Sequence, residues 1–140
     1  MMDVDDFKKV NDTYGHDQGD EVLIRLGFLL KTMNTRNIRC FRFGGEEFVM
    51  LINNLDRGTV LRIVENIRND ICWQTWDFPG RVTISIGVAA GKAGNALISQ
   101  ADENMYHSKT HGKNMVSYDM DGEKVIFREN SRDGERYSKL

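Results

Sequence analysis

Two consecutive glycines between two apolar runs constrain this chain more than any other feature. The runs Ile38–Phe43 and Phe48–Ile52 have the composition of β-strands, and Gly44 and Gly45 separate them. A two-residue hairpin turn requires positive φ angles, which glycine adopts without steric cost. The stretch therefore predicts a β-hairpin.

Two carboxylates, Glu46 and Glu47, follow this predicted turn directly. Neighbouring side chains of a strand point to opposite faces, so the two glutamates should differ in role. The glycines would also let a ligand approach the backbone closely. The alternative is an ordinary hairpin with a solvated acidic tip, because turns often carry polar residues for geometric reasons alone.

Composition limits the classes of protein to which the chain can belong. Its 140 residues suit one domain, with 40% hydrophobic and 29% charged residues. The net charge of -2 argues against a nucleic-acid-binding or membrane-binding surface. No apolar run has the length of a transmembrane helix. Cys40 and Cys72 lack metal-ligand spacing and are interpreted as core residues in a reducing compartment.

Hydrophobic spacing and turn residues predict the elements along the chain. Met1–Val4 is interpreted as the end of a first strand, and residues 5–19 as a polar connection. Three helices are predicted over 18–34, 59–73 and 95–109, the first capped by Asp17 and the second by Thr59. A strand is predicted over 82–88 and a terminal hairpin around Asp121–Gly122. The polar residues 128–140 predict a disordered tail.

The order of these elements predicts an α+β fold. Strand, helix, two strands, helix and strand form a ferredoxin-like or palm-type βαββαβ core, a mostly antiparallel sheet with helices on one face. A further C-terminal helix and strand follow. The predicted domain covers residues 1–118, the terminal hairpin 119–127 and the disordered tail 128–140.

Acidic residues at the predicted ends of two strands suggest a metal site. Asp3 ends the first strand, and Glu46 follows the hairpin turn, so the topology can bring them together. Two carboxylates with nearby backbone carbonyls suit Mg²⁺, and such sites usually serve phosphoryl or nucleotidyl transfer. The alternative is that Asp3, Asp5 and Asp6 only solvate a strand end, and this patch alone favours that alternative.

Further residues could contact a nucleotide. The turn Asp5–Lys9 offers backbone N–H groups and lysines to phosphates. Lys109 and Lys113 end the last helix, where its dipole is a sufficient reason for them, although they could also reach phosphates. Asn11 and Asp20 could together read a guanine edge, or could serve only as turn and cap residues.

Several motifs in order resemble one family. The run from Asp3 to Asp20 is similar to the first signature block of the GGDEF domain of diguanylate cyclases, and Arg42–Phe48 to its eponymous motif in the GGEEF form. Val82–Gly87, Ala101–Tyr106 and Lys109–Asn114 resemble its later blocks. The resemblance covers about residues 1–118.

The resemblance implies a nucleotidyltransferase that condenses two GTP into cyclic di-GMP and pyrophosphate. It implies two Mg²⁺ ions, which Mn²⁺ could replace, and two facing copies of the domain, because one domain binds one GTP. It also implies a cytoplasmic domain, with any membrane anchor upstream, and no nucleic-acid or membrane contact. The implied metal ligands are Asp3, the Val4 carbonyl, Glu46 and Glu47, with Glu46 and Glu47 catalytic. The implied substrate contacts are Asn11, Asp20, Asp6, Phe7, Lys8, Gly44, Gly45, Lys109 and Lys113.

The sequence departs from the family pattern at three places, and each departure leads to an expectation. An upstream helix and Asp-x-Leu-Thr-Gly-Leu-x-Asn-Arg block are missing, so we expect a fragment of a longer protein. An inhibitory Arg-x-x-Asp site is replaced by Thr35-Arg36-Asn37-Ile38, so feedback inhibition should be absent or weak. Lys113 stands where arginine is frequent, which keeps the charge but loses the fork geometry.

Two alternatives to an active cyclase stay open from the sequence. One is a module that binds GTP or cyclic di-GMP and signals to a partner without turnover. The other is a structural fragment that folds only with upstream sequence. Intact signature glutamates and the absent inhibitory site favour the enzyme.

Overall fold

The computed structural model describes residues 1–127 and the backbone of residues 138–139. Within these residues the first strands and helices follow the βαββαβ order, with one extra short helix after the first strand. In chain order they are β1 (Met2–Val4), α1 (Phe7–Tyr14), α2 (His16–Thr32), β2 (Ile38–Gly44), β3 (Glu47–Ile52), α3 (Arg57–Cys72), β4 (Ile84–Val88), α4 (Asn95–Thr110), β5 (Val116–Met120), β6 (Glu123–Phe127) and β7 (Ser138–Lys139).

The strands form one sheet in the order β2-β3-β1-β4-β5-β6-β7. All neighbouring pairs are antiparallel except β4 and β5, which are parallel and are joined by α4. A parallel pair needs such a crossover connection, whereas antiparallel strands can be joined by short turns. The predicted α+β fold with a mostly antiparallel sheet is confirmed.

One face of the sheet packs against α2 and α3 to form the core. Met2 and Val4 of β1 and Ile86 of β4 share this face, since side chains alternate along each strand. They are nearly inaccessible to solvent and belong to one hydrophobic cluster with residues of both helices, among them Leu26, Leu30, Ile67 and Ile71. This burial supplies most of the driving force for folding.

The opposite face carries α4, and a glycine allows its close approach. A Cβ atom on Gly87 would lie only 2.1 Å from both the Ala101 oxygen and the Met105 nitrogen. Ser108 of α4 donates a hydrogen bond to the Ile86 carbonyl at 2.8 Å. Ser85 lies two positions from Gly87 in β4 and therefore points to the same face, and so does Asp3, its partner in β1.

The first connection is more ordered than predicted, because α1 occupies residues 7–14 of the expected polar connection. Val10 is buried, and Phe7 and Tyr14 pack against the core, which stabilises this short helix through tertiary contacts. Gly15, with φ 92°, separates α1 from α2. The predicted Asp17 cap is wrong: α2 starts at His16, and Asp17 lies in its first turn.

Other predicted boundaries also shift. The second predicted helix starts at Arg57, and its N-cap is Asp56, which accepts a hydrogen bond from the Thr59 N–H at 2.9 Å. Thr59 is therefore the residue that donates to the cap rather than the cap itself. The strand predicted over 82–88 begins at Ile84.

Beyond the domain predicted over residues 1–118, the terminal strands extend the sheet. β5 and β6 pair across Asp121 and Gly122, both with positive φ, where the sequence predicted a hairpin. Ser138–Lys139 pairs with β6, in contrast to the disorder predicted for these two residues. The rest of the predicted disordered tail, 128–137 and 140, lies outside the described residues.

Candidate active site

The end of β1 brings Asp3 opposite the second glutamate of the signature. Asp3 pairs in register with Glu47 of β3, and residues paired across antiparallel strands lie on the same face. Asp3 is only 5% exposed, and Glu47 is half-buried. A carboxylate of β1 and a carboxylate of β3 therefore share the α4 face of the sheet.

Glu46 occupies the hairpin turn, not the strand. The tight turn is made by Gly45, with φ 43°, and Glu46, because an irregularity in the ladder pairs Gly44 with Glu47. The prediction of a Gly44–Gly45 turn is thus wrong by one residue. The Glu46 carbonyl accepts a hydrogen bond from the Val4 N–H at 3.3 Å, which fixes the turn beside the end of β1.

Lys109 of α4 forms an ion pair with the Asp3 carboxylate. Its Nζ lies 2.7 Å from Asp3 Oδ1. Burial raises the pKa of Asp3 above its usual value, Lys109 lowers it through a hydrogen bond and its charge, and Glu46 and Glu47 raise it; the net shift is upward. The two glutamates therefore lie close enough to Asp3 to repel its negative charge.

The turn after β1 contacts Lys113, the second lysine of the predicted pair. Asp6 adopts a left-handed conformation with φ 52°, and its Oδ1 accepts a hydrogen bond from Lys113 Nζ at 2.6 Å. Phe7 and Lys8 begin α1 directly after this turn. Lys8 is highly exposed and pairs with Asp12 at 2.5 Å, one helical turn away. The structure thus joins Lys113 to the turn, and it directs Lys8 toward Asp12.

Asn11 packs against Gly19, the residue before Asp20. A Cβ atom on Gly19 would lie 1.8 Å from Asn11 Oδ1, so Asn11 packs directly on the α2 backbone next to Asp20. Asn11 Oδ1 is buried and has no hydrogen-bond partner. Leaving a buried acceptor without a partner costs free energy.

Two clefts reach this end of the sheet from its two faces. A groove of about 590 Å³ lies between α2 and the β2–β3 hairpin, with Asp20, Leu23, Arg42 and Phe48 in its lining. A cleft of about 630 Å³ lies on the other face, and its lining includes Asp3, Glu47 and Lys109. No atom lies within 4 Å of a Cβ placed on Gly44 or Gly45, so the hairpin tip is open.

The donor set fits a hard divalent cation. Asp3 and Glu47 offer carboxylate oxygens on one face, the charge of Glu46 acts on Asp3, and the Val4 N–H donates to the Glu46 carbonyl. Within the described part of the chain, no three carboxylate, imidazole or thiolate groups converge in a way that could hold a metal ion. A cation here would thus need backbone or substrate oxygens as well, which is typical of Mg²⁺.

Sequence reasoning missed two residues that organise this region. Arg42 donates two hydrogen bonds, at 2.9 and 2.7 Å, to the Gly45 carbonyl and so fixes the turn. The buried Asp5 accepts hydrogen bonds from Thr83, just before β4, and from Ser85 in β4. Their only signal in the sequence is adjacency, since Arg42 precedes the glycines and Asp5 follows Asp3 at a spacing of two.

Comparison with known proteins explains this arrangement. The sequence model of a family described as "Diguanylate cyclase, GGDEF domain" matches residues 1–115. The chain belongs to the GGDEF domain family. The resemblance seen in the sequence is thereby confirmed.

Individual members of the family show the same similarity. The response regulator PleD of Caulobacter vibrioides is 41% identical over 126 residues, which are 83% of this chain and 28% of PleD. The active GGEEF domain of a diguanylate cyclase from Vibrio cholerae superposes with a TM-score of 0.74 at 30% identity, over 84% of this chain and 78% of that domain. The coiled coil and GGDEF domain of DgcB from Caulobacter crescentus, solved in complex with c-di-GMP, gives a TM-score of 0.78 at 28% identity, over 84% and 66%.

The chain spans about a third of the length of the curated relatives that it matches, for example 33% of one and 28% of another. Within the described residues, no helix has the length and apolar character needed to cross a membrane.

Proposed function

We propose that this chain is the catalytic domain of a diguanylate cyclase. In each of two reactions, a GTP 3′-hydroxyl oxygen attacks the α-phosphorus of a second GTP. A new P–O bond forms, the bond to pyrophosphate breaks and the hydroxyl proton leaves. Two GTP thus yield one cyclic di-GMP, two pyrophosphates and two protons.

One observation carries this proposal: Asp3 and Glu47 face each other at the end of β1 with Lys109 Nζ 2.7 Å from Asp3. Carboxylates beside a lysine suit phosphoryl transfer, because carboxylates can hold a metal cation, and the cation and the lysine can neutralise the negative charge of the phosphates and of the leaving group. The family match over residues 1–115 supports the same chemistry.

Mg²⁺ would be held by Asp3, the Val4 carbonyl, Glu46 and Glu47, with Mn²⁺ able to replace it. When bound, such ions polarise the α-phosphate and lower the pKa of the attacking hydroxyl. Members of this family are known to depend on a metal. The raised pKa of Asp3, caused by burial and by the two glutamates, gives a physical reason for the site to accept a cation.

The phosphates would lie against the turn after β1. Backbone N–H groups of the Asp6–Lys8 turn would bond to phosphate oxygens, and Lys109 and Lys113 would supply positive charge for the departing pyrophosphate. Lys113 would exchange its Asp6 partner for a phosphate oxygen. Glu46, half-buried in the hairpin turn, would accept the proton of the attacking hydroxyl.

The base would occupy the groove on the α2 side. Asp20 lines this groove and can accept hydrogen bonds from the guanine N1–H and N2–H groups. Asn11, which packs against the neighbouring Gly19, would bond to the guanine edge. The open hairpin tip at Gly44 and Gly45 leaves room for the ribose and phosphates to pass from the base groove to the metal cleft.

A second copy of the domain is required by the stoichiometry. One domain with this site would hold one GTP, and its 3′-hydroxyl must reach the α-phosphate of another. Two domains facing each other with antiparallel nucleotides satisfy this need. Activity should therefore depend on dimerisation and on domain concentration.

The test is a turnover assay with matched variants. The chain, alone and fused to a dimerising coiled coil, is incubated with GTP and Mg²⁺, and cyclic di-GMP is measured by chromatography. Glu46→Ala should abolish product and retain GTP binding. Glu123→Ala, at an exposed position at the start of β6, serves as the control.

Product from the forced dimer and from the control, with none from Glu46→Ala, supports the cyclase. Tight GTP binding without product in the forced dimer would contradict it. That result would favour a signalling module that binds the nucleotide without turnover. A chain that shows no cooperative unfolding transition would indicate a structural fragment.

A further inference from the structure

The loop that carries Lys113 has an unusual backbone conformation. Lys113 and Asn114 are consecutive residues with φ angles of 60° and 49°. This left-handed region is unfavourable for residues other than glycine, although asparagine tolerates it because its short polar side chain can bond locally. Lysine has no such compensation, so neighbouring groups must hold this conformation.

The Asn114 side chain is fixed by a buried ion pair of α3. Its Oδ1 accepts a hydrogen bond from Arg68 Nη1 at 2.5 Å. Arg68 in turn donates two bonds of 2.8 Å to Glu65, and Glu65 is only 1% exposed. The fork of the arginine can therefore hardly rotate away from Asn114. The Asn114 amide also contacts Cys72 Sγ at 3.4 Å.

The Asn114 backbone is fixed by the end of β1. Its N–H donates to Asp5 Oδ2 at 3.0 Å. Asp5 also accepts from Thr83 Oγ1 at 2.7 Å and from Ser85 Oγ at 2.6 Å, so this carboxylate is tied to β4 as well. Asn114 thus connects α3 to the strand end that carries Asp3.

These bonds determine where Lys113 points. The Lys113 N–H donates to the Ser108 carbonyl at 3.0 Å, which closes the end of α4. With its neighbour held on both sides, the Lys113 side chain reaches Asp6 Oδ1 at 2.6 Å, across 107 positions of sequence. An extended or right-handed loop would direct the lysine elsewhere.

We propose that Asn114 is a positioning residue, which links the Arg68–Glu65 ion pair to Asp5 and so aims Lys113 at the Asp6–Lys8 turn. Its effect on turnover rests on the proposed function, since it acts through the phosphate contact of Lys113. Its effect on loop geometry does not depend on any nucleotide.

A double-mutant cycle tests the link with activity. The variants are Asn114→Gly, Lys113→Ala and both together, measured as kcat/KM for GTP in the dimerised full chain. Glycine keeps the left-handed conformation and removes only the side-chain bonds. Each single variant should lose about tenfold, as for one charge-assisted contact, and the double variant should lose no more than Lys113→Ala.

A matched control separates the two contacts of the asparagine side chain. Cys72→Ala removes the weak sulfur contact and keeps the Arg68 bond, so kcat/KM should stay within about twofold of the parent. Additive losses in the cycle would overturn the proposal. A lower unfolding midpoint with unchanged kcat/KM in Asn114→Gly would also overturn it, since that is the result of a purely structural role.

Amide hydrogen exchange, measured without nucleotide, tests separately whether Asn114 fixes the conformation of the loop at Lys113. Asn114→Gly should raise the exchange rates of the amides of residues 113 and 114 at least about tenfold and leave that of Ile86 in β4 unchanged. Unchanged rates at 113 and 114 would overturn the proposal whether or not the protein turns over GTP. A parent that makes no cyclic di-GMP but shows these rate changes would overturn the proposed function alone.

Discussion

Lys109 of α4 and Asp3 of β1 form an ion pair on one face of the sheet, with 2.7 Å between Nζ and Oδ1. The pair is asymmetric, because Asp3 is almost fully buried while the lysine side chain is about a third exposed. Burial and the two signature glutamates raise the pKa of Asp3 in spite of the lysine. In the absence of a cation, the ionised carboxylate therefore reduces the stability of the fold.

Asp3→Asn should increase the stability of the protein at pH 7 in EDTA and abolish turnover. The folded-state pKa of Asp3 lies above its value in the unfolded chain, so the folded protein binds this proton more tightly, and the resulting stability is lost as the pH rises through the folded-state pKa. The stability difference between Asp3→Asn and the parent should shrink as the pH falls toward 4. Urea unfolding from pH 4 to 8 measures this, with Asp12→Asn as the exposed control. A variant that is less stable than the parent at pH 7 would contradict it.

Mg²⁺ should stabilise the parent and have little effect on Asp3→Asn. A ligand that binds only the folded state raises its stability by RT ln(1 + [L]/Kd), about 2.7 kcal/mol at 100 times Kd. Thermal unfolding with increasing MgCl₂ measures this, with NaCl of equal ionic strength as control. Equal shifts of the unfolding midpoint in both proteins would rule out Asp3 as a ligand.

Gly19→Ala should raise the KM for GTP more than it changes kcat. The new Cβ would lie 1.8 Å from Asn11 Oδ1, so the asparagine must move out of position for a guanine edge. Thr32→Ala, at the exposed C-terminal end of the same helix and outside the groove lining, is the control and should keep the KM of the parent. Equal KM values in both variants would argue against Asn11 as a base contact.

Acid should destabilise the domain partly through His107. Its pKa is lowered by burial, then by the charges of His111 and Lys124, while Asp119 opposes the shift. Its ring stacks on His111 at 3.8 Å, and Nδ1 lies 3.0 Å from Ser117 Oγ. A base whose pKa is depressed on folding contributes stability above its unfolded pKa of 6.5, and this is lost as the pH falls toward the folded-state value.

His107→Gln should therefore flatten the dependence of the unfolding free energy on pH between 7 and 5. The exposed His16→Gln at the start of α2 should leave the slope of the parent unchanged. Chemical denaturation at several pH values gives both slopes. If the two variants show the same slope, His107 does not carry the effect.

Local patterns were sufficient for most of the architecture. The period of apolar residues in α2 and α3 and the glycines at 44 and 45 predicted the helices and the hairpin. The prediction failed for α1, whose short polar sequence becomes helical because Val10 and Phe7 pack against the core. It also failed by one residue in the hairpin turn, since the ladder irregularity after Arg42 depends on the pairing of two strands. Such contacts are not encoded in a single stretch.

In the candidate site, too, some features follow from the sequence and others only from tertiary contacts. The sequence by itself determined which residue types are present and the family to which they belong, because motif spacing is local. Only the tertiary structure decided that Glu47 faces Asp3 while Glu46 lies in the turn, that Lys113 reaches Asp6, and that Asn114 joins α3 to β1. Strand register changes face with every residue, and these contacts join positions 40 or more residues apart, so they exist only once the core has fixed the elements against one another.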